Sequence, residues 1–265
     1  MHQPFPAARY FAYLTWQEVA RLSHPERVVL LQPLGAIEQH GHHLPLAVDA
    51  LITVEVLAQA LHELDPQVPA YVLPPLYYGK SNEHLHFAGT VSLKTETLMG
   101  VLTDIGDSIY RAGFRKLAFV NGHGGQPQIV EIVARDLHVK YPDFWLFPLF
   151  IWGVPNCAQQ LIPAQELELG IHGGMAETSL IQAIAPHLVK TEQTVCSYPP
   201  LSEGSLLSLE GACPFAWVTK DVSATGTIGD ATLAHPVVGK ELLQSLVGGW
   251  VRLIKDLYAF QPPLC

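Results

Sequence analysis

Charge is scarce in this chain. Asp, Glu, Lys and Arg make up 15% of the 265 residues, against 49% for the hydrophobic types. That is apolar for a soluble protein, so part of the surface is expected to be buried in a homo-oligomer. Basic residues are the scarcer sign: 15 Lys and Arg against 24 Asp and Glu give a formal net charge of −9. A nucleic-acid footprint needs clustered Lys and Arg, and this balance argues against one. Long apolar runs are missing as well. The closest, Phe144 to Pro155, is short and broken by Pro148, which rules it out as a membrane span. No basic segment followed by an apolar stretch opens the chain, so no secretory signal is read. Cysteine is sparse. Cys157, Cys196, Cys213 and Cys265 show no CxxC or other metal spacing and read as reduced thiols of a cytoplasmic protein. Internal repeats, linkers and low-complexity segments are absent too. The expectation is one domain over residues 1–265, long enough to bury a sizeable core.

What is present alternates. Thr15-Trp16-Gln17-Glu18 has capping-box spacing and predicts a short helix to about Leu22. Val28 to Gln32 is a continuous apolar run, as in a strand buried on both faces. Asp49 to Leu64 repeats apolar residues at helical spacing. Tyr71 to Leu73 reads as a second strand, stopped by Pro74-Pro75, and a long loop follows from Tyr77 to Leu93. Thr95 is expected to cap a helix running to Arg111 and ending at Gly113. Lys116 to Val120 is a third strand, Pro127 to Lys140 a helix, and Phe144 to Phe150 a fourth strand. An excursion over 154–171 leads to a helix from Gly173 to Ala185, cut off by Pro186. Residues 190–230 are irregular, and a last helix is expected over about Ala231 to Tyr258. This order predicts a three-layer α/β/α sandwich on a mainly parallel central sheet. Ligands in such folds bind beyond the carboxyl ends of the strands.

Two unusual loops leave predicted strand ends. The first, PLGAIEQHGHHLPLAVD from Pro33 to Asp49, carries Glu38, His40, His42, His43 and Asp49. Glu38 and His40, two apart in extended backbone, project from the same side. Asp49 opens the next helix, where it either caps the helix or bridges two cations. The second loop, Asn121-Gly122-His123-Gly124-Gly125, holds a histidine in nearly bare backbone. A third cluster is His172-Gly173-Gly174-Met175-Ala176-Glu177-Thr178-Ser179. Glu177 lies in an otherwise apolar helix, and a buried carboxylate needs a cation or donors. Glu38, His40, Asp49, His123 and Glu177 are five side chains, more than one catalytic ion normally takes. If Asp49 bridges, Glu38, His123 and Asp49 hold one ion, and His40, Glu177 and Asp49 hold the other. Carboxylate and imidazole suit Zn²⁺ or Mn²⁺ rather than Ca²⁺. Such a pair activates water for hydrolysis of a carbon–nitrogen bond or a similar displacement. His172, just before the helix, is placed to move a proton.

At these motifs the chain resembles the creatininase (creatinine amidohydrolase) family. The family text P-x-G-S-x-E-Q-H-G-x-H-L-P-L-x-T-D stands here as PLGAIEQHGHHLPLAVD, and its N-G-H-G-G as Asn121 to Gly125. Its H-x-G-x-x-E-T-S is His172 to Ser179, and its S-x-E-H-x-x-F-P-G-T-x-S-L resembles SNEHLHFAGTVSL. Gly226 to Asp230, GTIGD, matches a glycine–aspartate loop. The resemblance implies a cytosolic dinuclear zinc or manganese amidohydrolase, a homohexamer built as a trimer of dimers. Glu38, His40, Asp49 and His123 match family ligands. One position departs: creatinine-cleaving relatives carry a ligating glutamate where this chain has Gly125. Glu177 is then the substitute ligand, and the substrate is a creatinine-like cyclic amide or a formamide such as that of a pyrimidine nucleotide. Other members trim a peptide precursor of a redox cofactor.

The remaining candidates are weighed against plain structural roles. His42 is expected to hydrogen-bond near the metals and to join His172 and Glu177 in catalysis, with His43 structural. Glu83, His84 and Trp152 are the candidate substrate contacts. His24, His62, His138, His187 and His235 read as structural, and Thr178 and Ser179 as supports for Glu177. A catalytically silent metal-binding scaffold on the same fold is the alternative. Phosphoester hydrolysis is disfavoured, because the three ligand-bearing motifs hold no Lys or Arg; only Lys80 and Lys94 flank the covering loop.

Overall fold

Residues 4–200 and 205–262 are described by the computed structural model, so Cys265 lies outside them. A four-stranded sheet runs through the middle. Strands β1 (Val29–Leu34), β2 (Ala70–Val72), β3 (Lys116–Asn121) and β4 (Trp145–Phe150) stand in the order β2-β1-β3-β4, all parallel. Helix α1 (Trp16–Ala20) precedes the sheet, and α2 (Val48–Glu63), α3 (Thr95–Arg111) and α4 (Pro127–Lys140) connect its strands in turn. After β4 come two short helices, α5 (Ala158–Leu161) and α6 (Ala164–Leu169), inside the expected excursion. Then follow α7 (Met175–Ile184), β5 (Cys196–Ser197), α8 (Thr219–Val222), β6 (Gly229–Asp230) and α9 (Pro236–Ala259). Strands β5 and β6 form a small antiparallel pair.

Both faces of the sheet are covered because β1 and β3 are apolar at every second position in both phases. Val29, Leu31, Ala118 and Val120 join one core with Ile52, Val56, Leu180, Leu246 and Trp250 from α2, α7 and α9. Leu30, Leu34, Leu117 and Phe119 join the other with Leu98, Leu102, Val130 and Val133 from α3 and α4. The α/β/α sandwich is as expected. Among the described residues, no helix is long and apolar enough to cross a membrane.

Boundaries moved for local reasons. The capping box forms, with the Glu18 carboxylate accepting from the Thr15 N–H at 2.6 Å, but α1 stops at Ala20. Strand β1 continues through Pro33 to Leu34; β2 has already ended opposite Leu31, so fewer ladder bonds depend on position 33. Thr95 is the first helical residue of α3 rather than its cap. Helix α9 starts at Pro236, not near Ala231. Residues Ala231–Leu233 form a separate turn capped by Asp230, and His235 Nδ1 accepts from the Val237 N–H at 3.2 Å.

The topology that matters for function is the adjacency of β1 and β3. Leu34 pairs with Asn121, so the loops that follow these residues leave the sheet side by side. Trp250 anchors α9 to that frame: it is fully buried and its indole N–H donates to the Ile151 carbonyl at 2.8 Å. Trp250→Ala is expected to lower stability by about 3–5 kcal/mol, read as a shift in the urea midpoint with the slope retained. A loss under about 1 kcal/mol would mean that this contact does not support the frame.

Candidate metal centre

The loop after β1 buries Glu38 and His40 beside each other. His40 Nδ1 lies 3.1 Å from the Glu38 carbonyl oxygen. A carbonyl only accepts, so Nδ1 carries the proton and Nε2 is a bare lone pair. That lone pair faces acids: Asp49 Oδ1 at 3.3 Å, and Glu38 Oε1 and Glu177 Oε2 each at 3.9 Å. Asp49 is not a cap. The N-cap of α2 is Ala47, without a side-chain bond, and Asp49 sits inside the first turn. Its second oxygen, Oδ2, is 3.4 Å from Nδ1 of His123.

His123 is held from the opposite side. Its backbone N–H donates to Asn121 Oδ1 at 3.1 Å, and Asn121 Nδ2 donates to the His123 carbonyl at 2.8 Å. The ring's Nε2 donates to the Lys80 carbonyl at 2.9 Å, so Nδ1 is the lone pair. It stands 3.1 Å from Glu38 Oε2, without hydrogen-bond geometry. Two imidazoles are thus turned by main-chain carbonyls so that their lone pairs meet carboxylates. Glu38 Oε2, His40 Nε2 and Asp49 Oδ2 are buried with no hydrogen-bond partner. Unpartnered buried acceptors facing one another are costly, and a cation between them removes that cost. The donor set fits Zn²⁺ or Mn²⁺.

Proton affinities agree with that demand for positive charge. Burial opposes charging His40, but Asp49 above all, then Glu177 and Glu38, raises it to about 9. His123 is likewise raised well above the ordinary imidazole range, against its burial, with Glu38 the strongest attraction. Burial also opposes the charge on Asp49, yet His40 and His123 hold it below the usual carboxylate range. Glu177, at the N-terminal turn of α7, is pushed up to about 7, chiefly by burial. It accepts from the Gly173 N–H at 2.7 Å.

The ligand atoms fall into sets within 4.8 Å of one another: His40, Asp49 and Glu177 form one, and Glu38, Glu83 and His123 another. Glu38, His40 and His172 form a third. Asp49 turns one oxygen to His40 and the other to His123, the disposition a carboxylate shared by two cations needs. Glu83, read from the sequence as a substrate contact, lies against the centre itself. Its Oε1 is 3.2 Å from His123 Nε2. A Cβ at Gly125 would overlap that oxygen and stand 2.5 Å from His123 Nε2. The space above residue 125 is therefore filled by a carboxylate delivered from the loop after β2.

A cavity of about 860 Å³ opens over this cluster. His84, His172 and Trp152 line it, as does Lys80. His42 does not. Extended geometry put His42 inward, but Gly41 turns the chain at φ +70°, so residues 41–43 form a turn and His42 is exposed. His43 is the buried member. Its Nε2 is 2.8 Å from Thr178 Oγ1, and burial pushes its pKa down to about 4. Ser179 accepts from the His235 N–H at 3.0 Å, a packing role. None of His24, His62, His138, His187 and His235 lines the cavity, and Lys94 does not either. Sequence reading missed Glu210, Phe215 and Trp217, which line the mouth from the irregular stretch after residue 204. That stretch has no periodicity to read. It also missed Gln126, which is buried, accepts from the Lys80 N–H at 3.0 Å and donates to Asn121 Oδ1 at 2.9 Å.

Comparison with known proteins agrees with this geometry. A family model described as creatininase, creatinine amidohydrolase, matches residues 12–254. Creatinine amidohydrolase of Pseudomonas putida is 32% identical over 260 residues, covering 92% of this chain and 95% of its own length. Mycofactocin precursor peptide peptidase of Mycolicibacterium smegmatis is 31% identical over 239 residues, covering 89% of this chain and 88% of its own. A crystal structure of creatininase superposes with a TM-score of 0.78 at 31% identity, covering 97% of this chain and 99% of that one. A manganese form superposes at 0.77 with 29% identity, covering 96% and 99%. A zinc–zinc form of a creatininase variant gives 0.76 at 30% identity, covering 96% and 98%. The chain belongs to the creatininase family and is a hydrolase of the creatinine amidohydrolase type.

Proposed function

We propose that this enzyme hydrolyses the C–N bond of a cyclic amide or formamide at a centre of two divalent ions bridged by Asp49. The observation that carries the reading is the pair of Asp49 oxygens, one 3.3 Å from the His40 lone pair and one 3.4 Å from that of His123. Glu38 and His123 would hold one ion, His40 and Glu177 the other. When bound, such ions supply a water of lowered pKa and an electrophile for the substrate carbonyl.

The chain's own residues do the rest. Neutral His172 faces the cavity with Nδ1, 3.7 Å from Glu38 Oε1. It takes the proton of the attacking water and returns it to the leaving nitrogen. Glu177, oriented by the Gly173 N–H at 2.7 Å, serves as a ligand on the His40 side. Trp152 offers a flat wall for a planar substrate. Creatinine amidohydrolase and mycofactocin precursor peptide peptidase, both similar to this chain, differ in substrate, which supports placing substrate choice in the loops that line the cavity. Creatinine-cleaving relatives carry a glutamate where this chain has Gly125, which supports a substrate distinct from creatinine. A cytoplasmic homohexamer belongs to the same reading; the exposed Trp16, Val139 and Leu206 support its oligomeric part.

Two measurements test it. Chelation is expected to abolish hydrolysis across a panel of creatinine, other lactams, formamides and short peptides, and Zn²⁺ or Mn²⁺ to restore it. Glu38→Gln and His123→Ala should each lose metal and at least about 10²-fold in kcat/KM. Undiminished metal content and activity in both would sink the assignment, and full metal loading with no activity on any panel member would favour the silent scaffold. Metal stoichiometry separates one ion from two. Asp49→Asn is expected to empty both positions, whereas Glu177→Gln should leave one ion per chain. Equal retention in the two variants would contradict the bridge.

A further inference from the structure

Gln39 stands between two of the candidate ligands in sequence and is itself buried. Its side-chain amide has one possible orientation. Oε1 accepts from the Gly41 backbone N–H at 2.9 Å, and Nε2 donates to the Gly226 carbonyl at 3.1 Å. A backbone N–H only donates and a backbone carbonyl only accepts, so the main chain itself identifies the amide's oxygen and nitrogen.

The second hydrogen of that nitrogen points at His84. Nε2 of Gln39 lies 2.8 Å from His84 Nδ1, so Nδ1 accepts and the proton of neutral His84 is on Nε2. The Thr219 hydroxyl stands 2.7 Å from the same Nδ1 and shares the ring's single lone pair with the amide. The main-chain carbonyl of Gln39 acts on a second imidazole. His172 Nε2 donates to it at 2.6 Å, which leaves the His172 lone pair on Nδ1; the same Nε2 lies 3.2 Å from Gln39 Nε2, a contact between two donors and not a hydrogen bond. His84 and His172 stack at 4.2 Å between centroids and 26° between planes. Their inward nitrogens both face Glu38 Oε1, His84 Nε2 at 3.5 Å and His172 Nδ1 at 3.7 Å. Two adjacent, like-looking rings thus present opposite chemistry to one cavity: an N–H from His84 and a lone pair from His172.

We propose that Gln39 is a positioning residue that fixes opposite tautomers in His84 and His172, making His84 the hydrogen-bond donor to the substrate's carbonyl oxygen while His172 handles the proton. This rests on the amidohydrolase reading. A fixed donor aimed where negative charge develops favours the transition state over the ground state. It also separates the two histidines' duties, because an acceptor at His84 would repel the carbonyl oxygen.

Replacing Gln39 by an isosteric acceptor inverts the arrangement. In Gln39→Glu the carboxylate still accepts from Gly41 but no longer donates, so His84 protonates Nδ1 and turns a lone pair inward. Zinc-loaded, ¹⁵N-histidine-labelled protein reads the tautomer directly, with His84→Gln used to assign the signal. The wild type is expected to show the Nε2–H form at His84, and Gln39→Glu the Nδ1–H form. Zinc content should be unchanged, and kcat on the fastest amide of the panel above should fall about 10²-fold with a smaller change in KM. Gln39→Met, which neither donates nor accepts, is expected to lose the single tautomer. An Nδ1–H form in the wild type, or an unchanged tautomer in both variants, overturns the proposal. So does a loss of kcat that merely follows loss of zinc. The tautomer is read without substrate, so it stands or falls apart from the hydrolase reading itself.

Discussion

The structure is organised around a repulsion that the protein itself creates. Main-chain carbonyls of Glu38 and Lys80 take the outer N–H groups of His40 and His123, which forces both lone pairs inward toward Asp49. Without a cation, only extra protons on His40 and His123, whose proton affinities the surrounding acids raise, offset that meeting of acceptors, and three of the atoms involved are buried without partners. A fold tolerates such an arrangement where a cation completes it. The loops that carry these groups are kept in register by the pairing of Leu34 with Asn121, so the parallel sheet is what makes the repulsion possible.

Around this centre, backbone groups set the direction of the side chains. The Glu38, Gln39 and Lys80 carbonyls each orient an imidazole, and the Gly173 N–H orients Glu177. A carbonyl has one role in a hydrogen bond, so it specifies a tautomer more reliably than a hydroxyl does. The three rings of His40, His172 and His84 stack in succession, with centroids 4.1 and 4.2 Å apart. Each nevertheless offers a definite donor or acceptor face.

Much of this was legible in the chain. The apolar runs of β1 and β3 and the helical spacing of α2 dictate the sandwich, and Glu38, His40 and His123 on strand-end loops do converge with Asp49 and Glu177 in the first turns of α2 and α7. What was not legible depends on turns and on distant contacts. Alternation predicts an inward His42, but the positive φ of Gly41 reverses the chain and sends His43 inward instead. Gly125 looks like a missing ligand until Glu83 is seen in its place, forty-two positions earlier and on another loop. Gln39 reads as a spacer between Glu38 and His40, because its partners at Gly226, His84 and His172 are far away in sequence. The part of the cavity wall that holds Glu210 and Trp217 comes from a stretch without periodicity.

The central claim is that one carboxylate, Asp49, is shared by two ions. Anomalous diffraction from crystals of the manganese- or zinc-loaded protein tests it without recourse to any substrate. The account predicts two metal peaks, one on the His40–Glu177 side of Asp49 and one on the Glu38–His123 side, each bonded to a different Asp49 oxygen. A single peak, or two peaks of which only one touches Asp49, would contradict it.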